Sequence, residues 1–117
     1  MPTIRDLITA IHQRDGVEAV VVSGLDGLVI DSRVGPGLDV DDLAARIPAV
    51  VNAADDLGVA SGGETLVTAV LEHRGRMAVV SVLSAETCLL VLVSPRANIG
   101  QLLFELRRNR DHIAALV

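Results

Sequence analysis

The chain has 117 residues, half of them apolar, with a net charge of −5 and Phe104 as its only aromatic side chain. That length supports one domain over residues 1–117 with a core of Val, Leu, Ile and Ala, and the acidic, aromatic-poor balance argues against a nucleic-acid surface. No apolar run approaches a membrane span, no signal-peptide pattern opens the chain and Cys88 stands alone, so direct membrane insertion and an internal disulfide are excluded and a reducing cytoplasm is the expected compartment.

Residues 3–14 read as the first helix. Thr3 with Asp6 resembles a capping box, Ile4, Leu7, Ile8 and Ile11 form one stripe, and Asp15-Gly16 stops the helix. Residues 17–23 and 28–33 flank Gly24-Leu25-Asp26-Gly27, a strong hairpin signal. The first of these strands is apolar on both faces and belongs inside a sheet, whereas the second carries Asp31 and Arg33 and looks like an edge. After a Gly35-Pro36-Gly37 loop, Asp39 is placed to cap a second helix over residues 40–57, which Gly58 terminates.

A mobile connection at 59–64 is expected next, followed by strands at 65–73, 76–83 and 87–93 joined by short turns. The run Thr87–Val93 has no polar residue after its first position and reads as the central strand. Pro95 ends it, and Asn98 can cap a last helix, on which Ile99, Leu102, Leu103, Leu106 and Ile113 share one face. The order is therefore α-β-β-α-β-β-β-α. Short connections make neighbours antiparallel and the long excursion through the second helix joins two edges. The expected fold is α/β in the α+β sense: a five-stranded antiparallel sheet in strand order 2-1-5-4-3, with the second helix on one face and the other two on the opposite face.

The second helix carries more apolar surface than one sheet needs. Val40, Ala44, Ile47, Val51 and Ala54 form the core stripe, and Leu43, Val50 and Leu57 form another beside it. Together with Ala53 and Ala49 they span roughly 220°, against the ~100° of an ordinary surface helix. Either the loops at 35–38 and 59–64 cover the surplus, or a helix from another copy does. Pro48, inside the helix, should bend it. The strand at 65–73 would be an edge with no proline and no inward charge, and such an edge invites pairing with another chain.

Candidates for chemistry are few. Cys88 sits in the central strand and reads as a small core residue, and His12, His73 and His112 fall on separate elements without ligand spacing. Asp41-Asp42 suits the first turn of a helix, and Ser61-Gly62-Gly63 lacks the lysine and following helix of a phosphate loop. Arg107, Arg108 and Arg110 make a short basic patch on a solvated helix face. No metal site, cofactor or enzymatic centre is expected.

With its elements placed, the chain resembles a roadblock-type domain, of the dynein light-chain roadblock family, over nearly its whole length. The stretches that carry this are GVEAVVVSGLDGLVIDS, LDVDDLAARIPAVVNAADDLG and SPRANIGQLLFELRRNRDHIAAL, the last notable for its A-N-I-G-Q-L-L-F-E-L-R run. The resemblance implies a homodimeric or heterodimeric module that joins edge strands and pairs second helices, in partnership with a small Ras-like GTPase. Its nearest functional kin would be bacterial MglB-type proteins, whose dimers bind an MglA-type GTPase and promote hydrolysis by positioning the GTPase's own residues. The sequence ends directly after the last helix, without the C-terminal extension of some of those relatives, which leaves scaffolding open beside activation.

The dimer interface is expected at Leu66, Val67, Thr68 and Val70 with Leu43, Val50 and Leu57. The GTPase-facing positions are expected at Asp42, Arg46, Ala49, Asn52, Ala53 and Asp56, outward on the second helix. The alternative is a small-molecule-sensing or purely structural dimerisation module, and a sensor would need a pocket with convergent polar groups.

Overall fold

The computed structural model describes residues 2–117; Met1, the first residue of the expected domain, lies outside them. The elements are α1 (Ile4–His12), β1 (Val17–Gly24), β2 (Val29–Val34), α2 (Val40–Ala60), β3 (Thr68–Glu72), β4 (Met77–Val82), β5 (Thr87–Val93) and α3 (Ile99–Ala115). The helices start where side chains satisfy their free N–H groups. The Thr3 hydroxyl accepts from the Asp6 N–H while the Asp6 carboxylate accepts from Thr3, the reciprocal box expected from sequence. The Asp39 carboxylate accepts from the N–H groups of Asp41 and Asp42, and the Asn98 side chain accepts from Gln101.

The strands form one antiparallel sheet in the order β2-β1-β5-β4-β3, as the connection lengths require. In β5, Leu89, Val91 and Val93 point to one face and Cys88, Leu90 and Leu92 to the other, and all six are buried. Period-two alternation with both phases apolar is what a central strand covered on both sides demands. One face is closed by Ile8 and Ile11 of α1 with Leu102, Leu106 and Ile113 of α3. The opposite face is closed by Ala44, Ile47 and Val51 of α2. Each such Val, Leu or Ile taken out of water contributes about 1.5–3 kcal/mol before ordering costs, so the aliphatic core suffices without aromatics.

Pro48 sits where the β1–β2 turn meets α2. A Cβ built on Gly27, whose φ is +87°, would lie 3.5 Å from the Ala45 Cα, 3.7 Å from the Ala44 carbonyl oxygen and 3.9 Å from the Pro48 ring. The proline has no N–H for the Ala44 carbonyl, and the glycine lets the hairpin approach that stretch closely. The contact seats α2 toward the β1–β2 half of its face.

Boundaries differ from expectation in one instructive region. The second helix does not stop at Gly58 but continues to Ala60 with Ser61 as its cap, so the expected mobile connection is partly helical. Gly58 serves close approach instead. The Glu64 N–H donates to the Gly58 carbonyl at 2.9 Å, and a Cβ at position 58 would run into the Glu64 carbonyl oxygen. Asp55 then accepts from the Leu66 N–H at 3.1 Å. The returning chain is thus bonded to the end of α2 before it reaches the sheet, and the third strand starts at Thr68 rather than at 65.

Candidate functional site

Along α2 the side chains sort by exposure as helical geometry dictates. Val40 and Ala54 border the buried stripe and are half-buried, as are Leu43 and Val50 of the second stripe, which lean on the same core. Leu57 is different, with 70% of its surface exposed. Asp42, Arg46, Ala49, Asn52, Ala53 and Asp56 are all exposed, as expected from their angular positions. Arg46 bonds Asp42 one turn away at 3.2 Å, a solvated pair that orders the guanidinium without adding much stability.

Because α2 is seated toward β1 and β2, the β4–β3 half of the same face is incompletely covered. An apolar groove of about 240 Å³ opens there, between Leu43, Ile47 and Val50 of α2 and Leu71, Ala78 and Val80 of the neighbouring strands. Arg46, His73 and Arg76 stand around it, and Arg76 is held by Glu18 at 2.9 Å.

The two sheet edges are unlike. On β2 the pairing shifts between Val22 and Ser23, Asp31 accepts from the Ser32 N–H at 2.8 Å and from Arg5 at 3.3 Å, and Arg33 is exposed. Bulges and charges of this kind discourage a further strand. On β3 the pairing is regular from Thr68 to Glu72, with Val70 40% and Leu71 37% exposed. Val67, 44% exposed, lies just before the strand, yet its carbonyl accepts from Val82 at 2.9 Å and extends the ladder. Leu66 is half-buried against the α2-side core.

Of the expected edge residues, Thr68 and Val70 pair with Ser81 and Val79, and Val79 belongs to the core under α1 and α3. It is Ala69 and Leu71, opposite Val80 and Ala78, that share the α2 face. Sequence reasoning missed Leu71. Counting by two from Ala69 once the hairpin register is known would have found it.

Chemistry-bearing side chains are placed as follows. Cys88 is fully buried, with Sγ 3.3 Å from the Ser23 hydroxyl; burial pushes the thiol above its ordinary value, and the Ser23 bond works the other way. The histidines stand on separate elements, and among the described residues no three of His, Cys, Asp and Glu come together around a metal-sized site. Arg110 turns inward and donates to the Val82 carbonyl at 2.8 Å, so the basic patch is reduced to Arg107 and Arg108.

The thiol makes an isolated test of the core. The chain has no lysine and no tyrosine, so Cys88 is the only side chain titrating between about pH 8 and pH 11. A raised pKa in the folded state contributes stability below the ordinary thiol value, and that stability is lost as pH rises above it. Denaturant midpoints should therefore fall from about pH 8 to about pH 10.5 in the wild type and stay level in Cys88→Ala. The substitution itself should cost on the order of 1 kcal/mol through the small cavity it leaves. An equal decline in both proteins would show that the thiol ionises freely.

No protein-family model matches the chain. The uncharacterized protein MJ0714 of Methanocaldococcus jannaschii is 28% identical over 114 residues, covering 94% of this chain and 92% of that protein. The Roadblock/LC7 domain from Streptomyces avermitilis is 26% identical, with a TM-score of 0.80 over 92% of this chain and 91% of that one. MglB of Myxococcus xanthus superposes with a TM-score of 0.87 at 16% identity, covering 97% of this chain and 93% of that one. The element order, the 2-1-5-4-3 sheet and these superpositions agree: the chain has the roadblock fold, similar to Roadblock/LC7 domains and to MglB.

Proposed function

We propose that residues 1–117 form a single roadblock-type domain that works as a cytoplasmic homodimer and regulates or scaffolds a small Ras-like GTPase of the MglA kind by protein contact. The observation that carries the reading is an apolar groove lying beside an unguarded sheet edge. Two copies joined edge to edge through Leu66, Val67, Thr68 and Val70 continue the sheet and bring their second helices to the same face. Leu43, Val50 and Leu57 of one chain, with Leu71, then meet the same surface of the other, and groove and edge are satisfied together. Such a contact is isologous and closes on itself.

The outward residues Asp42, Arg46, Ala49, Asn52, Ala53 and Asp56 of both helices form a platform across the two-fold axis. Ala49 and Ala53 let a partner come close, and the charged positions suit polar switch segments. No catalytic residue, cofactor or membrane insertion enters this reading; the nucleotide chemistry stays with the GTPase.

Hydrolysis by a Ras-like GTPase encoded beside this chain, measured with and without the protein, tests the proposal. Binding of the GTP-loaded form with faster hydrolysis defines an activator, and binding without acceleration defines a scaffold. Failure to bind either nucleotide state at tens of micromolar rejects a GTPase partner.

A further inference from the structure

We propose that the outward face of α3 is a second, self-complementary docking surface, on which another copy of this chain pairs through an antiparallel α3–α3 contact. Opposite the buried line of Leu102, Leu106 and Ile113, helical spacing sets Phe104, Arg108, Asp111 and Ala115 in one outward row. All four are exposed, and Phe104, the chain's only Phe, Tyr or Trp, is 59% exposed while the core holds none. The ring stands on an otherwise polar helix face, where it offers a rigid apolar area to a partner. Among the described residues the ion pairs are Arg5–Asp31, Arg46–Asp42 and Arg76–Glu18, so neither Arg108 nor Asp111 has an ionic partner within its own chain.

The row complements itself. When two such helices are laid antiparallel so that Phe104 of each rests on the small Ala115 of the other, Arg108 of each falls against Asp111 of the other. One register therefore matches size with size and charge with charge, twice, as an isologous contact requires. Sliding one turn toward the helix N-terminus sets arginine against arginine, through Arg107 and Arg108. Sliding one turn the other way separates Arg108 from Asp111 altogether. The pairing thus specifies its own register, as side-chain charges do between other paired helices.

The row spans about three turns, roughly 16 Å, and one helix pair buries less than the ~1,000 Å² of a durable interface. The contact is weak and reversible by itself. It lies on the sheet face opposite α2 and does not depend on the dimer proposed above. Where that dimer forms, both α3 rows look to the same side, and two dimers face to face would gain from engaging two contacts at once.

A charge-swap cycle read by sedimentation velocity, from low to high micromolar concentration in low salt, tests the proposal. Arg108→Asp and Asp111→Arg each set like charges opposite one another in both halves of the contact. Each should raise the concentration needed for the α3-dependent step on the order of tenfold or more. Mixing the two single variants puts opposite charges together at both positions and should restore the step, as should the double swap in one chain. Single variants that associate like wild type, or a mixture that fails to recover, overturn the proposal. The second pattern is what an acidic protein partner of Arg107 and Arg108 would give. Every variant leaves α2 and β3 untouched, so failure of the edge-strand dimer would change all samples alike, whereas α3 pairing shows only in the differences between them.

Discussion

Val50→Asp is expected to turn the proposed homodimer into folded monomers. In one chain Val50 is half-buried, leaning on the α2-side core and bordering the apolar groove. A carboxylate there can still reach water through the open groove, so the single chain keeps its fold. Covering the groove with a second copy removes that water and leaves two unpaired carboxylates near the two-fold axis. Burying one unpaired charged group costs several kcal/mol, and two should weaken the dimer by at least about a hundredfold. Sedimentation equilibrium at micromolar concentration should give twice the 12.3 kDa chain mass for wild type and the single mass for the variant. Val51→Asp is the contrast. That side chain is 4% exposed beneath the helix, and the same charge there should unfold the chain. A Val50→Asp protein that stays dimeric would remove α2 from the interface.

That contrast marks where the sequence was legible. Element order and strand order followed from short turns, a long crossover and two strands apolar in both phases, and local rules decide all of these. The caps at Thr3, Asp39 and Asn98 were readable for the same reason. The role of Gly58 is not legible in the sequence: a glycine near a helix end usually stops it, whereas here it admits the Glu64 carbonyl, a tertiary contact that local spacing does not encode.

The surplus apolar arc of α2 is legible in the sequence, yet its consequence is only partly so. Leu43 and Val50 are half covered by their own sheet, and Leu57 alone of that stripe stands largely exposed. The floor of the groove is made by Leu71, Ala78 and Val80, and their convergence on α2 depends on hairpin register and on the seating of the helix against Gly27. Both are set by packing between elements.

The platform reading makes the other large prediction. In the proposed dimer the exposed rows of the two second helices lie side by side, and a partner with no symmetry of its own can centre on the two-fold axis once. Two chains should therefore bind one GTPase, and titration should saturate at that ratio. Within the row, Arg46 supplies a cation already oriented by Asp42, and Ala53 supplies a gap that a protruding side chain of the partner can fill. Arg46→Glu with Ala53→Arg reverses the first and closes the second. Both positions are exposed, so the fold should tolerate the change. The double variant should keep the dimer mass while its affinity for the GTP-loaded partner falls about a hundredfold or more, the loss that removing hot-spot contacts typically produces. Unchanged affinity in a variant that stays dimeric would displace the GTPase from α2, most directly to Arg107 and Arg108 on the opposite face of the sheet.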